Sequence, residues 1–222
     1  MGNIVDDIRA NEDTFADRPF NEVDSLALAQ LSYARMPVNV PRLDAEATDV
    51  DLAMVGVRDL LRAECYDDMF GKVWSPSMNV DLLRAMCESP RWRDLRVGGY
   101  VDEFDPETTK QFSACVFDVG DGSSYVAFRG TDSTIVGWKE DFAMAFRRPV
   151  AAQESAARYL ADLAGRRDGP LMVGGPSHAG TLAVSAAANA PAAVPERLIA
   201  LFRRARPGSH PHLLPTPGSP RG

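Results

Sequence analysis

The chain has 222 residues, 45% of them hydrophobic and 25% charged, with a formal charge of −7, which suits one sizeable core of ordinary globular composition. An acidic body excludes a nucleic-acid surface, because phosphate binding needs a basic patch. Cys65, Cys87 and Cys115 are widely spaced and form no C-x-x-C pair or His/Cys cluster; no metal or other cofactor is called for, and reduced thiols point to the cytoplasm.

In chain order, MGNIVDDIRANEDTF is acidic and lacks the basic-then-apolar profile of a signal peptide. Met1-Gly2 opens like a myristoylation site, but Asp6 stands where Ser or Thr is wanted. Residues 1–95 read as a helical region. NEVDSLALAQLSYARM (21–36) places Leu28, Leu31 and Met36 on roughly one face, with Asp24 or Ser25 as the cap. DLAMVGVRDLLRAECYDDMF (51–70) repeats the pattern through Met54, Val57, Leu61 and Cys65, predicting a second helix. SMNVDLLRAMCESP (77–90) predicts a third, with Pro90 beyond its end. These helices are expected to bury one face against a later sheet.

From Arg96 the period changes. RVGGYVDEF, KQFSACVFDVG and SSYVAFRG are short β-type runs separated by DPET (105–108) and GDGS (120–123), so antiparallel neighbours are expected. Helices follow: VGWKEDFAMAF (136–146), then VAAQESAARYLADLAG (150–165) with Ala156, Tyr159, Leu160 and Leu163 as its apolar stripe and a Glu154/Arg158 i,i+4 pair. LMVGG (171–175) suits a buried parallel strand, Ser177 to Asn189 the next helix, and RLIALF (197–202) a further strand. Residues 96–202 therefore predict an α/β sandwich with a mostly parallel central portion. The longest weakly apolar run, Thr181 to Val194, is too short to span a bilayer and contains Asn189 and Pro191, so no integral membrane segment is expected.

Gly175-Pro176-Ser177-His178-Ala179-Gly180 lies between a predicted strand and a predicted helix, the setting of a G-x-S-x-G nucleophile elbow. A serine held on so sharp a turn needs small neighbours two residues to either side, and Gly175 and Ala179 satisfy that. The helix N-terminus offers N–H groups to a developing oxyanion, His178 N–H first among them. Ser177 can equally be read as the N-cap of the helix.

SYVAFRGTDSTIVGWKEDF (124–142) ends a strand in Phe-Arg-Gly-Thr and reaches a Trp-x-x-Asp helix start. With the serine turn, it resembles the class 3 lipase family of α/β-hydrolases, closest to an uncharacterised bacterial lipase-like branch with an N-terminal helical region. The element order is similar over about residues 20 to 200, although only the two motifs are specific. The resemblance implies an α/β-hydrolase-like three-layer sandwich, a Ser177 nucleophile, an oxyanion hole from the Thr131 and His178 N–H groups, and a small-molecule or lipid ester substrate. Pro176 and His178 depart from the family's G-H-S-K-G-G-type elbow. Asp141 and Arg129 read as a solvated helix-start carboxylate and a structural ion-pair partner, and GDGSS (120–124) as a turn. Oligomeric state is unreadable.

A hydrolase of this kind also needs a base and an acid that orients it, following the serine in chain order. The only acid after Ser177 is Glu196, just before the last strand; six strand residues at about 3.3 Å each put it on the order of 20 Å from the serine turn. The side chain of His178 diverges from that of its neighbour, and His210 and His212 lie in RRARPGSHPHLLPTPGSPRG, where disorder is the expected state. The change of character between Phe202 and Arg203 is what a disrupted reading frame or a truncated product leaves, so the fold is expected to be C-terminally incomplete, residues 203–222 a tail, and the chain inactive. The other reading is a non-catalytic α/β-hydrolase-fold binding or interaction protein, with Ser177 as a helix cap.

Overall fold

The computed structural model describes residues 3–44, 52–73, 75–105, 110–129, 151–175 and 178–203. Their centre is a six-stranded mixed sheet: β1 (Met54–Gly56), β2 (Arg96–Asp105), β3 (Lys110–Asp118), β4 (Ser124–Phe128), β5 (Leu171–Gly175) and β6 (Leu198–Arg203), lying side by side in chain order. β1 to β4 are antiparallel, and β4, β5 and β6 are parallel. The connections dictate this change. Between β3 and β4 the chain turns back within a few residues, with Gly120 and Gly122 at φ 90° and 86°, a region that favours glycine. Parallel neighbours need a crossover long enough for a helix. Every residue of β4 and β5 is buried, as strands covered on both faces require.

One face of the sheet is covered by α1 (Ile4–Ala10), α2 (Glu22–Leu31), α3 (Tyr66–Phe70) and α4 (Pro76–Glu88). Ile8, Leu28, Leu82, Met86 and Trp92 join one core with Phe117, Tyr125, Ala127 and Met172 from the strands. Asn21 caps α2, not Asp24 or Ser25: its Oδ1 accepts from Val23 N at 2.8 Å, and Asp24 Oδ2 accepts from Asn21 N in return. Asp24 sits one turn further in and meets Arg91, both side chains buried, with Nε–Oδ1 at 2.8 Å and Nη2–Oδ2 at 2.5 Å. The remaining Arg91 donors reach the carbonyls of Asp13, Thr14, Arg18 and Pro19. One guanidinium thus gathers the loop before α2, and it stacks on Phe15 at 4.0 Å.

The helix expected over residues 51–70 is replaced by β1, two 3₁₀ turns (Val57–Leu60 and Ala63–Cys65) and the short α3. Its apolar spacing fits a helix, but Met54 pairs with Gly98 across the sheet, and Asp59 Oδ2 accepts from Gly56 N, which tightens the chain into a 3₁₀ turn. Residues before 95 therefore contribute a strand to the sheet as well as helices.

The other face carries α5 (Ala151–Ala164) and α6 (His178–Asn189), with α7 (Ala193–Arg197) leading into β6. The predicted stripe of Ala156, Tyr159, Leu160 and Leu163 is buried against Phe112, Val126 and Phe128, and Leu182, Ala183 and Ala186 of α6 join Val173 and Leu198. Helices on both faces give the α/β class three layers. The expected helix at 136–146 and the tail from 204 lie outside the described residues.

Within β2 the register shifts between Gly98 and Val101, with Gly99 at φ 59°. This bulge frees Tyr100 to pair with the segment after α2: its N–H donates to Pro41 O at 3.0 Å, and its carbonyl accepts from Leu43 N at 3.2 Å. Tyr159 of α5 donates its hydroxyl to Gly99 O at 2.8 Å, tying the bulge to the opposite face.

Candidate functional site

β4 and β5 run parallel with Ser124 beside Leu171 and Ala127 beside Gly174, so their C-terminal ends leave the sheet at the same edge. β5 ends at Gly175 and the helix α6 begins at His178, so a strand is followed by a helix, as the sequence around Ser177 predicts. Ser177 and Thr131 themselves lie outside the described residues. His178 is the first residue of α6.

The floor below this edge is tightly built. A Cβ on Gly174 would stand 2.5 Å from Tyr125 Oη, 3.0 Å from Phe202 Cβ and 3.1 Å from Ser25 Oγ, so only glycine fits. Tyr125 and Ser25 hydroxyls hydrogen-bond at 2.8 Å, and the Phe20 ring packs on Tyr125 at 5.0 Å and Phe202 at 5.5 Å between centroids. Burial pushes the Tyr125 hydroxyl well above its ordinary range, which keeps it protonated, a hydrogen-bond partner and not a base. Burial likewise pushes the Cys115 thiol up to about 12, so it carries no nucleophilic thiolate near neutral pH.

Arg129 follows β4 and is an ion-pair partner, as expected from its place before the Gly-Thr step. Its Nη2 lies 2.6 Å from Asp102 Oδ1, and its N–H donates to Ser113 O at 2.9 Å. Asp102 Oδ2 accepts from Tyr100 Oη at 3.1 Å; burial first, with the Asp102 charge beside it, pushes that phenol up to about 12. Asp102 escaped sequence reasoning because it reaches Arg129 across β3, through strand pairing that no local pattern reveals. GDGSS is a turn: Asp118 Oδ1 accepts from Gly120 N, and Asp121 Oδ1 accepts from the Ser123 N–H and hydroxyl. Glu196 sits in α7, just before the end of β6 where Leu198 pairs with Leu171, the edge opposite Gly175. Asp141, His210 and His212 lie outside the described residues. Among the described residues no group of three or more His, Cys, Asp or Glu could hold a metal ion, and no helix is long and apolar enough to cross a membrane.

A mixed six-stranded sheet with helices on both faces defines an α/β protein. Within that class the chain belongs to the Mbeg1-like family, whose model matches residues 86–221, from the end of α4 through all strands after β1. This corrects the membership expected from the two motifs: no class 3 lipase or other α/β-hydrolase family is detected. The reason is visible in the motifs. Each is a few residues long and encodes how a chain leaves a strand, a local requirement that different families can share. No curated protein and no solved structure matches the chain.

Proposed function

We propose that the chain is a serine ester hydrolase acting on a small-molecule or lipid ester, with Ser177 as nucleophile and the Thr131 and His178 N–H groups as its oxyanion hole. One observation carries the reading: β4 and β5 are adjacent and parallel, and the two motif segments follow their neighbouring C-terminal ends. Ligands of open α/β sheets bind at that edge. A description of Mbeg1-like proteins as lipase-like is compatible with it.

In the proposed reaction Ser177 Oγ attacks the ester carbonyl carbon, and the carbonyl oxygen takes the negative charge and meets the two N–H donors. The C–O bond to the alcohol then breaks, leaving an acyl-serine that water hydrolyses. The Oγ–H proton must end on the departing alcohol oxygen; Glu196 is at the wrong edge to orient a base that would carry it, so in this proposal solvent water relays the proton. The chain therefore keeps the nucleophile and oxyanion half of the site. Such a half-site retains roughly 10³–10⁴-fold catalysis over water in serine proteases stripped of a triad member. Slow acylation is expected, with no appreciable turnover of p-nitrophenyl esters.

A fluorophosphonate tests this by forming an Oγ–P bond and releasing fluoride. Labelling of the chain that disappears in Ser177→Ala supports the nucleophile. Absence of labelling at Ser177 would sink it in favour of a non-catalytic binding protein in which that serine caps α6.

A further inference from the structure

We propose that β6 is an interface at which a second copy of this chain pairs its own β6, antiparallel about a two-fold axis, joining the two sheets into one. β6 is the last strand of the sheet and pairs with β5 alone. Its outer row of N–H and C=O groups therefore has no strand partner among the described residues, and such a row is a template for another strand.

The two edges of the sheet are built differently. At the other edge β1 is only three residues long. Further along β2 a different segment takes its place, with Arg42 bridging Tyr100 and the Tyr100 backbone groups held by Pro41 and Leu43. A short, irregular edge of this kind resists further pairing. β6 has six residues, none of them proline, and none from Leu198 to Phe202 is charged. Ile199 on β6 and Val184 on α6, the helix packed against it, are exposed, so apolar surface lies along this edge beside the open backbone.

The occupant follows from the strand itself. The chain's own continuation suits it poorly: the 19 residues after Arg203 hold five prolines, and proline has no N–H to give to a ladder. A second β6 supplies the same open row of groups, and its side chains fit. In an antiparallel pair, residues directly opposite lie on the same face of the sheet. Ala200 and Phe202 turn to the face of α1, α2 and α4, and Leu201 to the face of α5 and α6. An axis at Leu201 sets that residue opposite its own copy and Phe202 opposite Ala200, a large ring against a small residue. Leu201 and Phe202 are half-buried in one copy, and both gain cover. The start of the strand is unsuited to hold the axis, because Ile199 is a bulge: Leu171 stands beside Leu198 and Met172 beside Ala200. The pairing also closes on itself. Each β6 is used once and the blunt β1 edges are left outermost, so a dimer forms and not a filament.

Sedimentation of the 222-residue chain over about a hundredfold range of concentration should show twice the 24.1 kDa chain mass, dissociating on dilution. Leu201→Lys and Leu201→Glu each put like charges across the axis and should weaken the dimer about tenfold or more. Mixing the two variants should restore it, since opposite charges then meet. Circular dichroism and urea midpoints report whether each variant folds. If either does not, Leu201→Cys decides: oxidised glutathione should join it to its copy by a disulfide, whereas Ile199→Cys, off the axis, should stay uncrosslinked like the wild-type chain. A chain that is monomeric throughout, open assemblies larger than a dimer, or a dimer that folded charge variants do not weaken would overturn the proposal. So would a mixture no tighter than its parts, or a Leu201→Cys chain that does not crosslink.

Discussion

The two faces of the sheet are held by different means. The face under α1, α2 and α4 combines large apolar side chains with a buried charge: Arg91 binds Asp24 and four loop carbonyls at once. The face under α5 and α6 is a ridge of alanine and leucine, with no buried ion pair among the described residues. A regular helix satisfies its own backbone and needs only an apolar stripe to dock. In the loop from Asn11 to Asn21 Arg18 N–H donates to Thr14 O, but the carbonyls of Asp13, Arg18 and Pro19 take a donor from elsewhere, and a guanidinium supplies five N–H groups in a fixed fork. Polar anchoring follows irregular backbone, and apolar packing follows regular helix.

The sharpest way to break that contrast is Arg91→Met. It strands the Asp24 carboxylate and several carbonyls in the core, and removing one partner of a buried pair costs about 3–5 kcal/mol. Urea unfolding should show a loss of that size, and adding Asp24→Asn should return part of it, because no charge is then buried alone. A cost below about 1 kcal/mol, the range of surface pairs, would mean that the clamp matters little.

On the second face the largest effect should come from volume. Leu160 is fully buried in α5, and Leu160→Ala should cost about 2–5 kcal/mol by leaving a cavity that α6 cannot fill. Thermal melts of this variant and Arg91→Met in low and high salt should leave both losses unchanged, because the Arg91–Asp24 pair is buried; a salt-dependent loss for Arg91→Met would mean that the pair behaves as a surface one.

A smaller loss, about 1–3 kcal/mol, is expected for Gly174→Ala, whose methyl would crowd Tyr125, Phe202 and Ser25. Pairing it with Tyr125→Phe, which removes the nearest oxygen, should restore part of the midpoint; no restoration would place the strain elsewhere. Smallest is Asn21→Ala, which deletes the α2 cap and should cost about 1 kcal/mol. A much larger drop would show that the cap and the Arg91 clamp act as one unit, since Asp24 serves both.

The second face was the more legible one in the sequence. The Ala156, Tyr159, Leu160, Leu163 stripe and the LMVGG run carry their structure in local periodicity, and α5 and β5 appear where that periodicity puts them. The first face was legible only in part. The period of residues 77–90 is that of α4, but residues 51–70 carry helical spacing and yet hold a three-residue strand, two 3₁₀ turns and the short α3, because pairing of Met54–Gly56 with β2 outweighs a local preference. The Arg91 clamp has no local signature at all, since its partners, one carboxylate and four backbone carbonyls, are more than 65 residues away. At the candidate site the ends of β4 and β5 are readable because a short apolar run closed by a glycine is a local pattern. Asp102 was not, for it depends on which strand lies two places away.

The order of strands has a bearing on the chain's earliest moments. Each strand lies beside the one synthesised just before it, so the sheet can grow by adding one edge at a time as the polypeptide emerges. α2 cannot dock so early, because Ser25 must wait for Tyr125, 100 residues later. At about 5–20 residues per second, that wait lasts roughly 5–20 s on the ribosome. Throughout it, β4 and β5, the strands that α2 packs on, have not yet been made, so the helix takes its place only after the sheet has grown past β4.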